Sequence, residues 1–237
     1  MRAGFDAAAT GWDDSRGGYR RPVLVDALAR GGPFGPGRAV EIASGTGLLT
    51  PLIAEVWPEV VAVDLSGGML AHSAASCRIQ ADAARLPFKD NCFDAVVTLA
   101  TLEHVRRPWV VAAGLIRVLK PGGTLIVDVP FLQPVHAYPK HYFNMTSEGL
   151  RSLFEDKCDI VSVDVPHYGR PIYTLAWFLD RYAAGLPEAV RAEFMTMQVQ
   201  DLAAVVEQQV ARDYVNALPK AFEFELASVT SIVARKR

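Results

Sequence analysis

The chain has 237 residues, of which 51% are hydrophobic and 21% are charged, and its formal net charge is −2. This length and composition predict one folded α/β domain with a full core and a small appendage, and they exclude a disordered chain. The charge balance gives no sign of a nucleic-acid partner, and we read the two short basic runs as solvated surface.

Hydrophobic periodicity predicts a regular alternation of strands and helices from residue 38 onwards. The segment before it, 1–37, is rich in Gly and Arg and holds one short helical pattern. Apolar runs then predict five strands, at 39–43, 60–63, 78–80, 93–99 and 124–129, with helices between them. The continuous apolar run at 93–99 is typical of a strand that is covered on both faces. This rhythm predicts a Rossmann-like, open and mostly parallel sheet with helices on both faces.

The second half of the chain departs from this rhythm. Residues 130–145 predict a loop rich in His, Tyr and Pro, and the stretch 172–216 predicts a helical insertion that serves as a lid or a dimer surface. Its aromatic stripe is more typical of a core than of a substrate platform. Apolar runs at 160–165 and 226–235 complete a seven-stranded sheet. The predicted organisation is an N-terminal segment 1–37, a cofactor-binding core 38–171, the insertion 172–218 and a final strand within 219–237.

The cysteines and the apolar segments indicate the compartment. Cys77, Cys92 and Cys158 form no CxxC pair and show no metal-ligand spacing, which favours reduced thiols and no metal site. The first residues lack the apolar core of a signal peptide, and the apolar segment 172–186 is interrupted by charges and too short to span a bilayer. We therefore expect a cytoplasmic protein without a membrane partner.

The turn after the first predicted strand is the most informative stretch. Gly45 and Gly47 lie between that strand and a helix, and the second strand ends in Asp64, 17 residues after Gly47. A glycine turn lets the backbone approach a ligand closely, and the acid can hold a ribose by two hydrogen bonds. This pattern predicts a site for a nucleoside-containing cofactor.

Two cofactor classes fit that outline. A nicotinamide dinucleotide requires a third glycine, but Thr50 stands at its position, where the helix must pack closely on the strand. S-adenosylmethionine has no pyrophosphate and needs only the close turn for its amino-acid tail, whose ammonium Glu41 can bind directly or through water. The residues therefore favour S-adenosylmethionine.

Five short sequence blocks follow one another between residues 41 and 123. They are Glu41 with Gly45-Thr46-Gly47; Asp64-Leu65-Ser66 with Met69-Leu70; Ala81-Asp82-Ala83 with Leu86-Pro87-Phe88 and Phe93-Asp94; Leu102-Glu103-His104-Val105; and Leu119-Lys120-Pro121-Gly122-Gly123. Together the blocks resemble the class I S-adenosylmethionine-dependent methyltransferases, and within them the type 11 small-molecule subgroup.

The resemblance implies the residues that would bind S-adenosylmethionine. They are Glu41 at the ammonium; Ala43, Gly45, Thr46 and Gly47 in the turn; Asp64 and Leu65 at the ribose; Met69 against the nucleoside; Asp82 and Ala83 at the adenine; and Leu99 through its backbone. Asp64 as a helix cap and Asp82 as a turn residue stay open as structural alternatives. The family usually has glycine in place of Ala43, and often Gly or Cys in place of Ser44. A positive φ at Ala43 would cost about 1 kcal/mol.

Histidines near the predicted carboxyl ends of the strands are the candidate bases. Methyl transfer is an in-line displacement that needs alignment, and an oxygen or nitrogen nucleophile also needs a proton removed. We predict this role for His104, His136 or His141, and contacts with the substrate for Tyr138 and Tyr142. In the alternative interpretation these segments orient and shield the end of the sheet.

The sequence thus predicts a methyltransferase that modifies oxygen or nitrogen of a small molecule, such as a sugar or secondary metabolite, and acts as a monomer or homodimer. Two alternatives stay open. One is a protein of this fold without methyl transfer, either a cofactor-binding partner or a catalyst of cyclisation or rearrangement. The other is an NAD(P)-dependent oxidoreductase.

Overall fold

The computed structural model describes residues 5–6, 9, 12–136, 140–166, 169–202 and 212–222. Two compact units are distinguished: one comprises 1–131 and 137–170, and the other comprises 132–136 and 171–237. Among the helices described, none is long and apolar enough to cross a membrane.

The first unit is built on a five-stranded parallel sheet. Its strands are β1 (Arg38–Ile42), β2 (Glu59–Asp64), β3 (Cys77–Gln80), β4 (Phe93–Leu99) and β5 (Leu119–Asp128). They lie in the order β3-β2-β1-β4-β5, with all neighbouring pairs parallel. The strand order reverses between β1 and β4, and ligands of open α/β sheets bind beside the carboxyl ends of the strands at such a switch point.

Helices connect these strands and follow them. They are α1 (Trp12–Gly31), α2 (Thr50–Val56), α3 (Gly67–His72), α4 (Pro108–Val118) and α5 (Ser147–Arg151), with short 3-10 helices at Ala83–Arg85 and Leu102–His104. The short helical pattern expected before residue 37 is a 20-residue helix that continues through Pro22.

Apolar side chains cover both faces of the sheet. From β4, Phe93 and Val96 belong to one buried cluster, whereas Ala95, Val97 and Leu99 belong to another. Burial on both faces explains the unbroken apolar sequence of this strand. The predicted parallel α/β architecture is therefore confirmed.

The seven-stranded sheet is not observed. The predicted sixth strand, 160–165, has no strand partner among the described residues. Ile160 packs against the core, whereas Val161, Val163 and Val165 are exposed. One apolar anchor does not align a backbone ladder, so the alternating valines were misleading here. The predicted seventh strand, 226–235, lies outside the described residues.

The second unit contains short helices around its own aromatic core. They are α6 (Pro171–Gly185), α7 (Glu188–Phe194), α8 (Val199–Leu202) and α9 (Asp213–Asn216). The ring of Tyr182 stacks on Phe194 with centroids 5.0 Å apart, and Phe194 contacts Tyr214. Tyr173, in the same predicted stripe, is exposed. The predicted long helical stretch is thus broken, and Pro187 begins the turn into α7.

Asp94 ties three strands together at the amino end of the sheet. Its Oδ2 accepts a hydrogen bond from the Arg38 backbone N–H at 2.9 Å, and Lys120 Nζ donates to both carboxylate oxygens at 2.8 and 2.9 Å. The Arg38 N–H, followed by the Lys120 ammonium, lowers the pKa of Asp94 below its ordinary value of 3.8.

We expect Asp94→Asn to lower the free energy of unfolding by about 1 kcal/mol at pH 7, because a charge-assisted contact is lost at a partly exposed site. A lowered carboxyl pKa contributes stability that is present above pH 3.8 and is lost as the pH falls through the folded-state value. Urea unfolding should therefore show a smaller difference in the free energy of unfolding between wild type and variant at pH 3 than at pH 7. Glu59→Gln is the matched control, because Glu59 is exposed and its Oε2 lies 4.0 Å from Arg38 Nε, which makes this a weak ion pair. An equal difference at both pH values would contradict this account.

Candidate functional site

The turn after β1 has an alternating left-handed backbone. The φ angles of Ala43, Gly45 and Gly47 are 57°, 59° and 79°. A Cβ on Gly47 would lie 2.2 Å from Ser73 Oγ, so no other residue fits there without a shift. The turn packs on β2 through a hydrogen bond of 3.0 Å from the Ser44 N–H to the Val63 carbonyl. Glycine is therefore required at Gly47 by both conformation and space.

Ala43 adopts the strained conformation that its place in the turn suggested. An L-residue in the left-handed region costs about 1 kcal/mol relative to glycine. We expect Ala43→Gly to raise the free energy of unfolding by about 0.5–1 kcal/mol, measured by urea denaturation. The control is Ala62→Gly in the buried strand β2, which should destabilise the protein. A destabilised Ala43→Gly variant would show that the alanine methyl contributes more than its strain costs.

Asp64 joins the turn to the loop that follows β2. Its Oδ2 accepts from the Gly45 N–H and its Oδ1 from the Ser66 N–H, each at 2.8 Å. Burial raises the pKa of Asp64, and the N–H donors of Ser66 and Gly45 offset part of that rise. The Leu65 N–H also donates to this carboxylate and lowers its pKa, so three backbone donors use three of its about four acceptor positions. The side chain can therefore hold the turn and still accept a hydrogen bond from a ligand hydroxyl.

Asp6 is a second acid at this end of β2, and no local sequence pattern predicted it. Its Oδ1 accepts hydrogen bonds from Ser66 Oγ at 2.5 Å and from the Gly68 N–H at 3.0 Å. Ser66 Oγ in turn accepts from the Met69 N–H and caps α3. The Asp6 charge also contributes to the raised pKa of Asp64. Contacts across 60 residues leave no local pattern by which they could be predicted.

A cavity beside the turn gathers several of the predicted residues. Its lining includes Glu41 from β1, Ala43, Ser44 and Thr46 from the turn, and Leu99 from the end of β4. Glu41 is only 4% exposed, and its Oε2 accepts from Thr50 Oγ1 at 2.5 Å. Thr50, which stands where a dinucleotide site would have its third glycine, thus positions the acid at the switch point.

The residues predicted at the nucleoside lie after β2 and β3. Met69 is buried in α3, and Leu65 is half-buried beside Asp64. Asp82 accepts a hydrogen bond from the Ala84 N–H at 2.9 Å and caps the 3-10 helix that begins at Ala83. Asp82 therefore has the turn function that was its structural alternative, and its adenine contact stays a prediction.

His104 lies in the 3-10 helix after β4 and contacts the loop that follows β5. Its Nδ1 is 2.8 Å from the Lys140 carbonyl oxygen, and its Nε2 is 3.7 Å from Glu103 Oε1. Because a carbonyl only accepts, Nδ1 carries the proton. In the neutral imidazole Nε2 then has the lone pair that a general base needs.

The backbone of fully buried Glu103 anchors the same loop. Its carbonyl oxygen accepts from the N–H groups of Tyr142, at 2.6 Å, and Phe143, at 3.3 Å. These bonds bring His141 next to His104, with ring centroids 5.9 Å apart, and leave Tyr142 half-buried. The arrangement suits both a catalytic pair and the loop-orienting interpretation.

His136 belongs to the second unit, where its Nδ1 is 3.0 Å from the Pro134 carbonyl oxygen and its ring is 5.4 Å from Trp177. Tyr138 lies outside the described residues.

Comparison with known proteins identifies the core. A methyltransferase domain family matches residues 40–127, which span the chain from β1 to β5. The chain contains a class I methyltransferase domain of the type 11 kind. Demethylmenaquinone methyltransferase of Renibacterium salmoninarum is 39% identical to it over 111 residues, which are 45% of this chain and 46% of that protein. The chain thus spans less than half the length of the curated relatives that it matches.

Solved structures share the fold of the domain. An S-adenosylmethionine-dependent methyltransferase of Thermotoga maritima, described as a possible histamine N-methyltransferase, aligns with a TM-score of 0.54 and 25% identity over 66% of this chain and 80% of its own. The cyclase SpnF aligns with a TM-score of 0.53 and 24% identity over 66% of this chain and 63% of its own, so it shares the fold alone. The domain match and the Thermotoga protein support S-adenosylmethionine as the cofactor.

The methyltransferase domain offers groups that fit this cofactor. The buried Glu41 carboxylate lines the cavity and suits an ammonium group, because a buried anion is stabilised by an opposite charge. Asp64 retains an acceptor position for a ribose hydroxyl. The left-handed turn carries no side chain at Gly45, so a ligand can approach its backbone there.

Proposed function

We propose that this protein transfers the methyl group of S-adenosylmethionine to oxygen or nitrogen of a small-molecule acceptor, by in-line displacement. The observation that carries the proposal is the hydrogen bond from the Gly45 N–H to Asp64, which joins the close turn and the ribose acid into one unit at the switch point. A turn that only connected β1 to α2 would not need that acid at the end of the next strand.

In this proposal the cofactor is held along the carboxyl ends of the strands. Glu41 binds the ammonium of the amino-acid tail, and the turn from Ala43 to Gly47 passes the methionine moiety. Asp64 accepts the ribose hydroxyls, with Leu65 and Met69 against the nucleoside. Asp82, the Ala83 N–H and the backbone of Leu99 contact the adenine end. Bound S-adenosylmethionine supplies an electrophilic methyl group on a sulfonium, whose leaving group is neutral.

His104 is the base that we propose for the acceptor. The Lys140 carbonyl fixes its Nδ1–H, so Nε2 can remove a proton from an acceptor hydroxyl or amine. His141 and Tyr142, which the Glu103 carbonyl anchors nearby, would line the acceptor pocket. His136 and Tyr138 remain further candidates for the acceptor side.

The relatives support a small-molecule acceptor without naming it. One is named for demethylmenaquinone and a structural neighbour for histamine, and the fold by itself does not determine the acceptor. A panel of quinols, phenols, amines and sugars, incubated with methyl-labelled S-adenosylmethionine, tests the proposal. Formation of a labelled product together with S-adenosylhomocysteine is the expected result.

The same assay separates the alternative function. SpnF has this fold and is named as a [4+2]-cyclase, so the fold by itself does not imply methyl transfer. An acceptor that is rearranged or cyclised without S-adenosylhomocysteine formation would contradict the proposal.

With an active acceptor, His104→Gln should lower kcat about 100-fold or more without changing cofactor affinity, because the proposed base is removed. His72→Gln, at an exposed position of α3, is the matched control.

A further inference from the structure

The hydroxyl of Ser44 is buried in the cavity beside the turn. The residue is 7% exposed, and among the residues that the structure describes its Oγ has no hydrogen-bond partner. A buried hydroxyl without a partner is unfavourable, because the hydrogen bonds that it makes to water in the unfolded chain are not replaced. Ser44 lines this cavity together with Glu41, whose Oε2 accepts a hydrogen bond from Thr50 Oγ1.

Two groups of different character thus line one small space. Glu41 offers an anionic acceptor, and Ser44 offers a neutral donor. The amino-acid end of S-adenosylmethionine carries an ammonium and a carboxylate, which are the complements of these two groups. Because the Glu41 charge repels a carboxylate, the donor at Ser44 is the group of this pair that suits it.

We propose that Ser44 Oγ–H donates a hydrogen bond to the tail carboxylate of the cofactor and makes Ser44 a determinant of affinity for the amino-acid tail. The inference rests on the proposed cofactor use. The resembling family often has glycine or cysteine at this position, and glycine has no side-chain donor while cysteine has a weak one.

Two ligands separate this role from a merely structural one. S-adenosylhomocysteine carries the amino-acid tail, whereas 5′-methylthioadenosine has the same nucleoside and sulfur without it. Measured by calorimetry, Ser44→Ala should lower the affinity for S-adenosylhomocysteine about 10-fold or more, because a hydrogen bond to a charged group is lost. The affinity for 5′-methylthioadenosine should be unchanged. Ser44→Cys, which keeps the size and a weak donor, should give an intermediate loss.

The possible outcomes are distinct. If Ser44→Ala lowers the affinity for both ligands equally, or for neither, the inference is overturned while the proposed cofactor use stands. A wild-type protein that binds neither ligand overturns both. Unchanged binding of 5′-methylthioadenosine by the variants shows in the same experiment that their sites are folded.

Discussion

Replacing Asp64 by alanine is expected to weaken S-adenosylhomocysteine binding at least about 100-fold, because the charged acceptor proposed for the ribose is lost. The variant also removes the acceptor of the Gly45 N–H and therefore loosens the turn. Isothermal titration at pH 7.5 measures the loss. Asp90→Ala is a suitable control, since Asp90 is exposed and pairs with Arg117 away from this loop. Affinity retained within about threefold in Asp64→Ala would contradict the ribose role.

The raised pKa of Asp64 adds a pH signature to this prediction. Burial disfavours the carboxylate, so in the free protein this group contributes stability below its ordinary pKa of 3.8 and loses it as the pH rises through the folded-state value. Ribose hydroxyls bind the charged form better, so cofactor affinity should fall as the pH is lowered through that raised value. Asp64→Asn should show weak binding without this pH dependence.

Gly47→Ala is expected to have the second large effect. Its Cβ would lie 2.2 Å from Ser73 Oγ and 3.0 Å from Ser73 Cβ, on a backbone with φ of +79°. We expect a loss of about 2–4 kcal/mol in the free energy of unfolding, with weaker cofactor binding, because steric overlap adds to backbone strain. Thermal and urea denaturation measure the first effect, and calorimetry measures the second.

Gly122 provides the matched control for Gly47. Its φ of +74° is almost the same, but a Cβ there meets nothing within 4 Å. Gly122→Ala should therefore show the backbone strain alone, about 1 kcal/mol. Ser73→Ala combined with Gly47→Ala should recover part of the loss by removing the Oγ contact. Equal destabilisation in the two glycine variants would mean that crowding at Ser73 is unimportant.

The sequence predicted those parts of the site that depend on local pattern. The turn from Ala43 to Gly47 and the acid at Asp64 follow directly from two apolar strands, and the positive φ of Ala43 was foreseen as a possible cost. Long-range contacts were not predictable. The approach of Asp6 to Ser66 and the anchoring of Tyr142 by Glu103 join residues 60 and 39 positions apart. From the sequence, Thr50 was only the residue that replaces the third glycine of a dinucleotide motif. Its hydrogen bond to Glu41 became evident only in the structure.

The predicted sixth strand shows the opposite problem. The alternation of Val161, Val163 and Val165 has the period of a strand, but a strand also needs a neighbour for its backbone N–H and C=O groups. In the structure these three side chains are exposed. Periodicity reports which side chains could share a face, whereas pairing depends on what the rest of the chain brings alongside.

Cofactor binding by the whole purified chain tests the central claim most directly. Isothermal titration should give one site per chain with micromolar affinity for both S-adenosylmethionine and S-adenosylhomocysteine, and no binding of NADH. Absence of binding to both compounds by a protein with folded circular dichroism and cooperative unfolding would contradict the account, and the turn after β1 would then be a structural connection only.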